Sequence, residues 1–171
     1  QAFLDLYTIY RELGRMCDLS IAMIGDLKNG RTVRSLSYLL GKHTGIHIIF
    51  VSPKELKIGK DIKAYLKRHE VTFEETEDME KVLSKVDVIY QTRIQKERFK
   101  SSRDYNKYKG CYVISTKYVN MMKPNSIIMH PLPRVGEILP EVDASPKAMY
   151  FKQAKYGLLI RMALLKAVLI S

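Results

Sequence analysis

The stretch Leu19-Ser20-Ile21-Ala22-Met23-Ile24-Gly25, followed by a helical pattern over residues 31–40, decides the fold class. A short apolar run that ends in glycine is typical of a strand covered on both faces, as in a parallel sheet. In the second segment, apolar residues recur at three- and four-residue steps, which predicts an amphipathic helix. The chain therefore passes from strand to tight turn to helix, the unit from which α/β sheets are built.

The same unit recurs along the chain. Further strands are predicted at residues 46–51, 71–73, 86–90 and 126–129, and helices at residues 2–13, 61–68, 79–83 and 148–170. Gly157 predicts a break of the last segment into two helices. Strands that alternate with helices predict an α/β domain with a mainly parallel sheet and helices on both faces. A chain of 171 residues is expected to form one such domain.

The composition argues against several classes of protein. A net charge of +11 fits a nucleic acid, an anionic substrate or an acidic neighbour. Aromatic residues do not alternate with basic ones and no RNA-binding motif is present, so we expect no nucleic-acid partner. No apolar run reaches the roughly 18 residues of a membrane span. Cys17 and Cys111 lack metal-ligand spacing; we interpret both as buried thiols in a reducing compartment and expect no metal or cofactor.

A polar loop rich in cations follows the fourth predicted strand. It reads Gln91-Thr92-Arg93-Ile94-Gln95-Lys96-Glu97-Arg98-Phe99 and lies where open parallel sheets bind ligands. Arg93 and Gln95 alternate, so their side chains share a face if the chain is extended there. The alternative is an exposed charge run in which Glu97 pairs with Arg98 or Lys96.

A second polar loop, His130-Pro131-Leu132-Pro133-Arg134, follows the fifth predicted strand. Prolines remove competing amide donors, which leaves the carbonyls of Pro131 and Leu132 free to accept from a substrate amine. A functional turn of this kind favours a cis Leu132-Pro133 peptide bond. His130 is either a general base or, as is more usual for a lone histidine at a strand end, structural.

The first strand-to-helix turn contains Gly25-Asp26-Leu27-Lys28-Asn29-Gly30-Arg31-Thr32. It matches neither the phosphate-binding P-loop nor the dinucleotide motif. Two interpretations remain: a plain turn in which Asp26 bonds local amides, or an anion site in which Arg31 at the helix start grips a carboxylate with two hydrogen bonds.

Together these segments resemble the catalytic chain of the aspartate carbamoyltransferase family. The matching segments are residues 1–9, 24–33, 92–99, 130–138 and 150–153, and the resemblance covers essentially the whole chain. It implies a Rossmann-like three-layer domain of the carbamoyltransferase fold. That family condenses carbamoyl phosphate with L-aspartate to N-carbamoyl-L-aspartate and phosphate in de novo pyrimidine synthesis.

The resemblance also implies two sets of substrate-binding residues. The set expected to bind L-aspartate is Arg31, Arg93, Gln95 and Pro131. The set expected to face carbamoyl phosphate is Gln1, Leu132 and Pro133. We assign no catalytic side chain, because in this family rate enhancement comes from orienting amine and carbonyl and from stabilising the tetrahedral charge.

By the same resemblance, residues 1–171 are the aspartate-binding domain alone. The chain starts inside a predicted helix, so Gln1 is interpreted as a cut point. The terminal helices at residues 1–14 and 148–170 are expected to pack against a carbamoyl-phosphate domain, without which the fragment is expected to be inactive. The full-length enzyme is expected to be a cytoplasmic homotrimer, with or without regulatory chains.

Three residues, Asn29, Arg34 and Gly136, depart from the family pattern. Two alternatives to the assignment stay open. An ornithine carbamoyltransferase-like enzyme is disfavoured because it carries His-Cys where this chain has His130-Pro131, and because arginines repel an ammonium group. A non-catalytic carbamoyltransferase-like interaction domain is disfavoured by the intact arginines.

Overall fold

The five strands of the domain form one parallel sheet. A computed structural model describes residues 1–99 and 101–170. Within them the strands are β1 Ser20–Ile24, β2 His47–Val51, β3 Thr72–Thr76, β4 Val88–Gln91 and β5 Ile127–Met129. The helices are α1 Ala2–Leu13, α2 Arg31–Leu40, α3 Lys60–Arg68, α4 Glu80–Leu83, α5 Ser102–Asn106, α6 Thr116–Asn120 and α7 Tyr150–Leu169.

The strand order is β3-β2-β1-β4-β5, and every pairing is parallel. The chain builds outward from β1 to β3 and then returns to place β4 and β5 on the other side of β1. The carboxyl ends of β1 and β4 therefore lie side by side where the strand order reverses, and Ile24 pairs with Gln91 there. Open α/β sheets bind ligands at this position.

Helices cover both faces of the sheet, which confirms the predicted α/β class. Successive strand residues point to opposite faces, so Met23 and Ile24 belong to two different cores. The first core packs α1, α2 and α3 on the sheet, with Leu36 and Ile62 fully buried. The second core packs α4 and α6 on the other face. Burial on both faces explains the apolar runs of β1, β2, β4 and β5, whereas the edge strand β3 is polar and has no buried residue.

The first helix has the predicted bounds. Gly14 ends α1 in the left-handed conformation with φ 72°, and its N–H donates to the Tyr10 carbonyl. The predicted break at Gly157 is wrong, because α7 is continuous through it. A side chain there would place its Cβ 3.4 Å from Leu4 of α1, so the glycine serves close helix packing.

Helices α5 and α6 were not predicted, because five residues each are too few for a clear apolar period. Cys111 is exposed and Cys17 half-buried, so neither is a buried thiol. Cys111 lies in a bend at the surface, outside both cores.

In the described part of the chain, no helix is long and apolar enough to cross a membrane.

Candidate functional site

The carboxyl ends of β1 and β4 meet at a contact that only glycine permits. Gly25 has φ 120°, and a Cβ there would lie 2.4 Å from the carbonyl oxygen of Thr92. The backbone N–H and the hydroxyl of Thr92 donate to the Ile24 carbonyl at 2.8 and 2.9 Å. Gly25 N–H donates to Val51 of β2 at 3.0 Å. The floor of the candidate site is therefore fixed by backbone contacts.

The turn after β1 is organised by Asp26. This buried carboxylate accepts the Asn29 backbone N–H at 3.1 Å and the Asn29 side-chain amide at 3.0 and 3.1 Å. The structural role predicted for Asp26 is thus present. Asn29, a departure from the family pattern, is the residue that donates to it. Arg31 is the first residue of α2 and is exposed. No described residue pairs with its guanidinium, so the anion-binding interpretation also stays open.

Arg34, another departure from the family pattern, links two helices. Its guanidinium forms an ion pair with Asp61 of α3. That hydrogen-bonded pairing holds the pKa of the exposed Asp61 carboxyl below its ordinary value. Arg34 is therefore engaged by a helix contact.

The loop after β4 is held by surface contacts. Arg93 donates to Glu97 at 2.5 Å, with side-chain exposures of 37% and 51%. The alternative in which Glu97 pairs with Arg98 or Lys96 is wrong, since Glu97 pairs with Arg93. Gln95 is half-buried. None of the described residues between 93 and 111 is buried.

A cavity of about 120 Å³ lies between this loop and the segment that follows β5. Its lining brings Gln91, Thr92 and Arg93 together with residues 135–137. The buried Gln91 amide donates to the carbonyls of Thr92 and Tyr112 at 3.3 Å each. Its oxygen has no hydrogen-bond partner among the described residues. The cavity therefore combines a guanidinium with an unused buried acceptor.

His130 organises the loop after β5. It is 1% exposed, and its Nδ1 accepts the Leu132 N–H at 2.8 Å. Nε2 therefore carries the proton and donates to Glu137 Oε1 at 2.7 Å. Because both ring nitrogens are engaged inside the protein, the structural interpretation of His130 is favoured over the general base.

The loop that His130 holds presents free carbonyl groups. Leu132 has φ 46°, an uncommon conformation for leucine, and the predicted cis Leu132-Pro133 bond is present. Within the described residues, no hydrogen bond engages the carbonyl oxygen of Pro131 or Leu132. Both are available to a ligand.

Two acidic residues anchor the end of this loop. Burial raises the pKa of Glu137, but hydrogen bonds from His130 and the backbone of Val135 outweigh it, so the pKa lies below its ordinary value. Arg134 forms an ion pair with Asp143 and lies 5.5 Å from the centre of the Tyr150 ring. Arg134 therefore anchors the end of the loop.

A buried carboxylate that was not predicted from the sequence links Gln1 to this loop. Asp5 is fully buried and accepts the Tyr90 hydroxyl at 2.8 Å and the amide Nε2 atoms of Gln1 and Gln153 at 2.7 Å each. Gln153 in turn accepts the backbone N–H of His130 at 2.9 Å. Burial raises the pKa of Asp5, and the three donors oppose it.

Asp5 shares the buried face of α1 with Leu4, Thr8 and Ile9, a face that the apolar period of the sequence did not indicate. Tyr90, at the end of β4, has a pKa well above its ordinary value because of burial and the neighbouring Asp5 carboxylate, and the Thr32 hydroxyl also contacts it. The start of α2 that carries Arg31 is thereby joined to the same network.

The structure brings only some of the predicted residues together. Arg93 lines the cavity, whereas Arg31 and Gln95 are not among its lining residues. Gln1 is joined to the Pro131–Pro133 turn through hydrogen bonds that run by way of Asp5, Gln153 and His130. Across the described residues, no group of three or more histidine, cysteine or acidic side chains is arranged to hold a metal ion.

Comparison with protein families decides the affiliation. Residues 17–168 match the Asp/Orn binding domain of aspartate/ornithine carbamoyltransferase. The chain belongs to this family. The polar loops after β4 and β5 are therefore those of a carbamoyltransferase amino-acid-binding domain.

Individual carbamoyltransferases show how much of a family member the chain represents. Aspartate carbamoyltransferase 2, chloroplastic, of Pisum sativum is 53% identical over all of this chain, which covers 45% of the pea protein. The aspartate transcarbamoylase catalytic subunit of M. jannaschii has a TM-score of 0.91 and 51% identity over 97% of this chain and 55% of its own. Trypanosoma cruzi aspartate transcarbamoylase in complex with carbamoyl phosphate and aspartate has a TM-score of 0.86 and 38% identity over 96% and 52%. The chain spans about half the length of the curated relatives it matches.

Proposed function

We propose that residues 1–171 are the aspartate-binding half of an aspartate transcarbamoylase. The complete enzyme condenses carbamoyl phosphate with L-aspartate to N-carbamoyl-L-aspartate and phosphate, a step of pyrimidine synthesis. The observation that carries the proposal is the pair of guanidinium groups at the strand-reversal edge, Arg93 in the cavity lining and Arg31 at the start of α2. A dicarboxylate suits two arginines, whereas the ammonium of ornithine does not.

We assign each substrate group to a chemical partner. Arg31 binds one carboxylate of aspartate, and Arg93 with Gln95 binds the other. The free carbonyls of Pro131 and Leu132 accept hydrogen bonds from the attacking amine. Gln1 faces the carbamoyl group together with the Leu132-Pro133 turn.

The reaction in this arrangement is direct. The neutral amine of aspartate attacks the carbamoyl carbon, a C–N bond forms, the bond to the phosphate oxygen breaks, and the amine loses a proton. No covalent enzyme intermediate is involved. The contribution of this half is to hold the amine at the carbamoyl carbon, since orientation can supply about 7–11 kcal/mol of a barrier.

The other half of the enzyme is proposed to cover α7. Several apolar residues of this helix are exposed, namely Leu158, Leu159, Met162, Leu165 and Leu169. Exposed apolar surface of this extent marks an interaction site, and the matched relatives are about twice as long as this chain. A carbamoyl-phosphate domain is the occupant we propose. The 171 residues alone are then inactive, and the complete enzyme is a homotrimer, with or without regulatory chains.

Cytoplasmic localisation belongs to the same proposal. The Pisum sativum relative is named chloroplastic, so the compartment varies within the family. Fractionation of the source cells distinguishes the two.

The proposal is tested by Arg93→Ala in the full-length protein. Loss of a charged hydrogen-bonded contact costs about 1.5–3 kcal/mol, so kcat/KM for aspartate should fall by about one to two orders of magnitude. The KM for carbamoyl phosphate should change little. Arg103→Ala, which removes an exposed arginine of α5 on the same loop, is the matched control and should leave both values nearly unchanged.

Two outcomes would contradict the proposal. One is equal kinetics for Arg93→Ala and Arg103→Ala, since the aspartate pocket would then lie elsewhere. The other is preferential carbamoylation of ornithine by the unsubstituted protein, which would establish the rival amino-acid substrate.

A further inference from the structure

We infer that Asp5 is a positioning residue that fixes the orientation of two glutamine amides, Gln1 and Gln153, and thereby sets the acceptor that recognises the carbamoyl NH₂ group. The inference rests on the proposed function for the substrate, and on the hydrogen bonds of this chain for the geometry. Asp5 touches neither substrate, so it acts through the two glutamines.

The chemistry of Asp5 determines which way each amide points. An ionised carboxylate only accepts hydrogen bonds, whereas a glutamine amide has a donor end and an acceptor end. The Nε2 atoms of Gln1 and Gln153 both lie 2.7 Å from Asp5 Oδ1. The opposite orientation would set two oxygens against each other. Each amide is therefore held with its nitrogen toward Asp5 and its oxygen away from it.

The oxygen of Gln1 is the end that matters for carbamoyl phosphate. The carbamoyl NH₂ group is a donor and requires acceptors. The Leu132 carbonyl is one of them, because its oxygen has a second lone pair besides the one assigned to the attacking amine. With its nitrogen captured by Asp5, Gln1 offers Oε1 as a further acceptor. A flipped amide would present a second donor to the substrate NH₂ and repel it.

The oxygen of Gln153 carries the same constraint into the loop after β5. It accepts the backbone N–H of His130 at 2.9 Å, and the His130 ring accepts the N–H of Leu132 at 2.8 Å. Three successive hydrogen bonds thus connect Asp5 to the residue whose carbonyl is assigned to the substrate. A change at Asp5 is expected to displace both sides of the acceptor set.

Burial supports a role beyond packing. Asp5 is fully buried on the face of α1 that packs into the core, where an apolar residue would stabilise the fold without a desolvation cost. An acidic residue supplies what an apolar one cannot, an acceptor for three donors, one each from Gln1, Tyr90 and Gln153.

The test is Asp5→Asn in the full-length protein. Asparagine has nearly the same shape but can donate as well as accept, so it no longer dictates the amide orientation. The matched control is Thr8→Val, which removes another buried polar group of α1 whose hydroxyl donates to Leu4 at 2.7 Å, outside the network. The measurement is kcat/KM for carbamoyl phosphate and for acetyl phosphate, in which a methyl group replaces the NH₂.

If Asp5 is a positioning residue, its substitution should change the discrimination between carbamoyl phosphate and acetyl phosphate. Asp5→Asn should lower kcat/KM for carbamoyl phosphate by about 10- to 100-fold, and lower the preference for carbamoyl over acetyl phosphate by about tenfold. Thr8→Val should leave the preference unchanged. Equal losses for both acyl phosphates in Asp5→Asn would reduce Asp5 to a structural residue and overturn the inference.

A second variant and a second readout cover the remaining outcomes. If Asp5→Asn does not fold, Gln153→Met keeps the Gln1–Asp5 contact and cuts the link to His130. It should raise the KM for aspartate and also lower the preference for carbamoyl over acetyl phosphate, because the Leu132 carbonyl is no longer held in place through His130. Behaviour identical to Thr8→Val would overturn the inference.

Absence of turnover in the unsubstituted protein would instead refute the proposed function. The amide orientation is then read from the ¹⁵N side-chain signals of Gln1 and Gln153. Hydrogen-bonded NH₂ signals are expected for both glutamines in the unsubstituted protein. The signal pair that is absent from Gln153→Met identifies residue 153. Solvent-like NH₂ signals in the unsubstituted protein would refute the inference.

Discussion

The loops after β4 and β5, which we propose to bind the substrates, follow neighbouring strands, yet they are held in different ways. Residues 130–137 are fixed from inside: the His130 ring and Glu137 are buried and hydrogen-bonded to each other at 2.7 Å. Residues 93–99 and 101–110 are held from outside, by the half-exposed pair of Arg93 and Glu97 and by the short surface helix α5. The polypeptide thus joins a fixed loop and an adaptable one at the same edge.

The difference matches what each loop has to offer a ligand. The fixed loop presents backbone carbonyls. A backbone carbonyl has no side-chain torsions with which to move toward a ligand, so it must already be in position when the ligand binds. The adaptable loop presents Arg93 and Gln95, long side chains that can follow a substrate. Regions with few buried contacts open at low free-energy cost, and such regions commonly close over substrates. We therefore expect substitutions to act on stability in the first loop and on binding in the second.

The largest expected effect is at the junction of β1 and β4. Gly25→Ala would force a Cβ to within 2.4 Å of the Thr92 carbonyl at φ 120°. We expect a loss of about 3 kcal/mol or more in the free energy of unfolding, or failure to fold. Gly110→Ala in the adaptable loop has φ 74° with open space and should lose only about 1 kcal/mol. Urea unfolding of the full-length variants measures both; similar losses would remove the distinction between floor and loop.

The next effect compares one acidic residue from each loop. Glu137→Gln weakens a buried charged hydrogen bond and should lower the free energy of unfolding by about 1.5–3 kcal/mol. Glu97→Gln breaks an exposed ion pair and should lower it by less than about 1 kcal/mol. If Glu97→Gln proved the more destabilising of the two, the assignment of fixed and adaptable loops would be reversed.

The smallest expected effect is on pH dependence. Glu137 has a pKa below its ordinary value of 4.5, so its stabilising contribution is present above that value and is lost as the pH falls through the lowered pKa. Glu137→Gln should therefore lose less stability on acidification than the unsubstituted protein. Burial raises the pKa of Asp5, and its opposite contribution is common to both proteins. Thermal unfolding at a series of acidic pH values gives the comparison; parallel curves would show that Glu137 does not titrate as described.

The sequence predicted most of the sheet and the two polar loops. Strand positions were predictable because burial on both faces leaves apolar runs, as at residues 46–51, and the end of α1 was predictable from Gly14. The break at Gly157 failed because the same residue that weakens an isolated helix also permits close packing against Leu4. Nothing local in the sequence distinguishes these two uses of glycine.

The amino-acid sequence by itself determined the α/β class, the location of the two polar loops at strand ends and the cationic character of the loop after β4. These follow from periodicity and residue chemistry, which act over a few neighbouring residues. Only the tertiary structure decided which charged residues form ion pairs, Arg93 with Glu97 and Arg134 with Asp143. It also decided that Asp5 accepts hydrogen bonds from both Gln1 and Gln153. Asp5 and Gln153 are separated by 148 residues along the chain, and such a contact exists only after α1 and α7 have packed together. Hydrogen bonds between distant residues depend on the packing of the elements that carry them, and packing is a property of the folded chain.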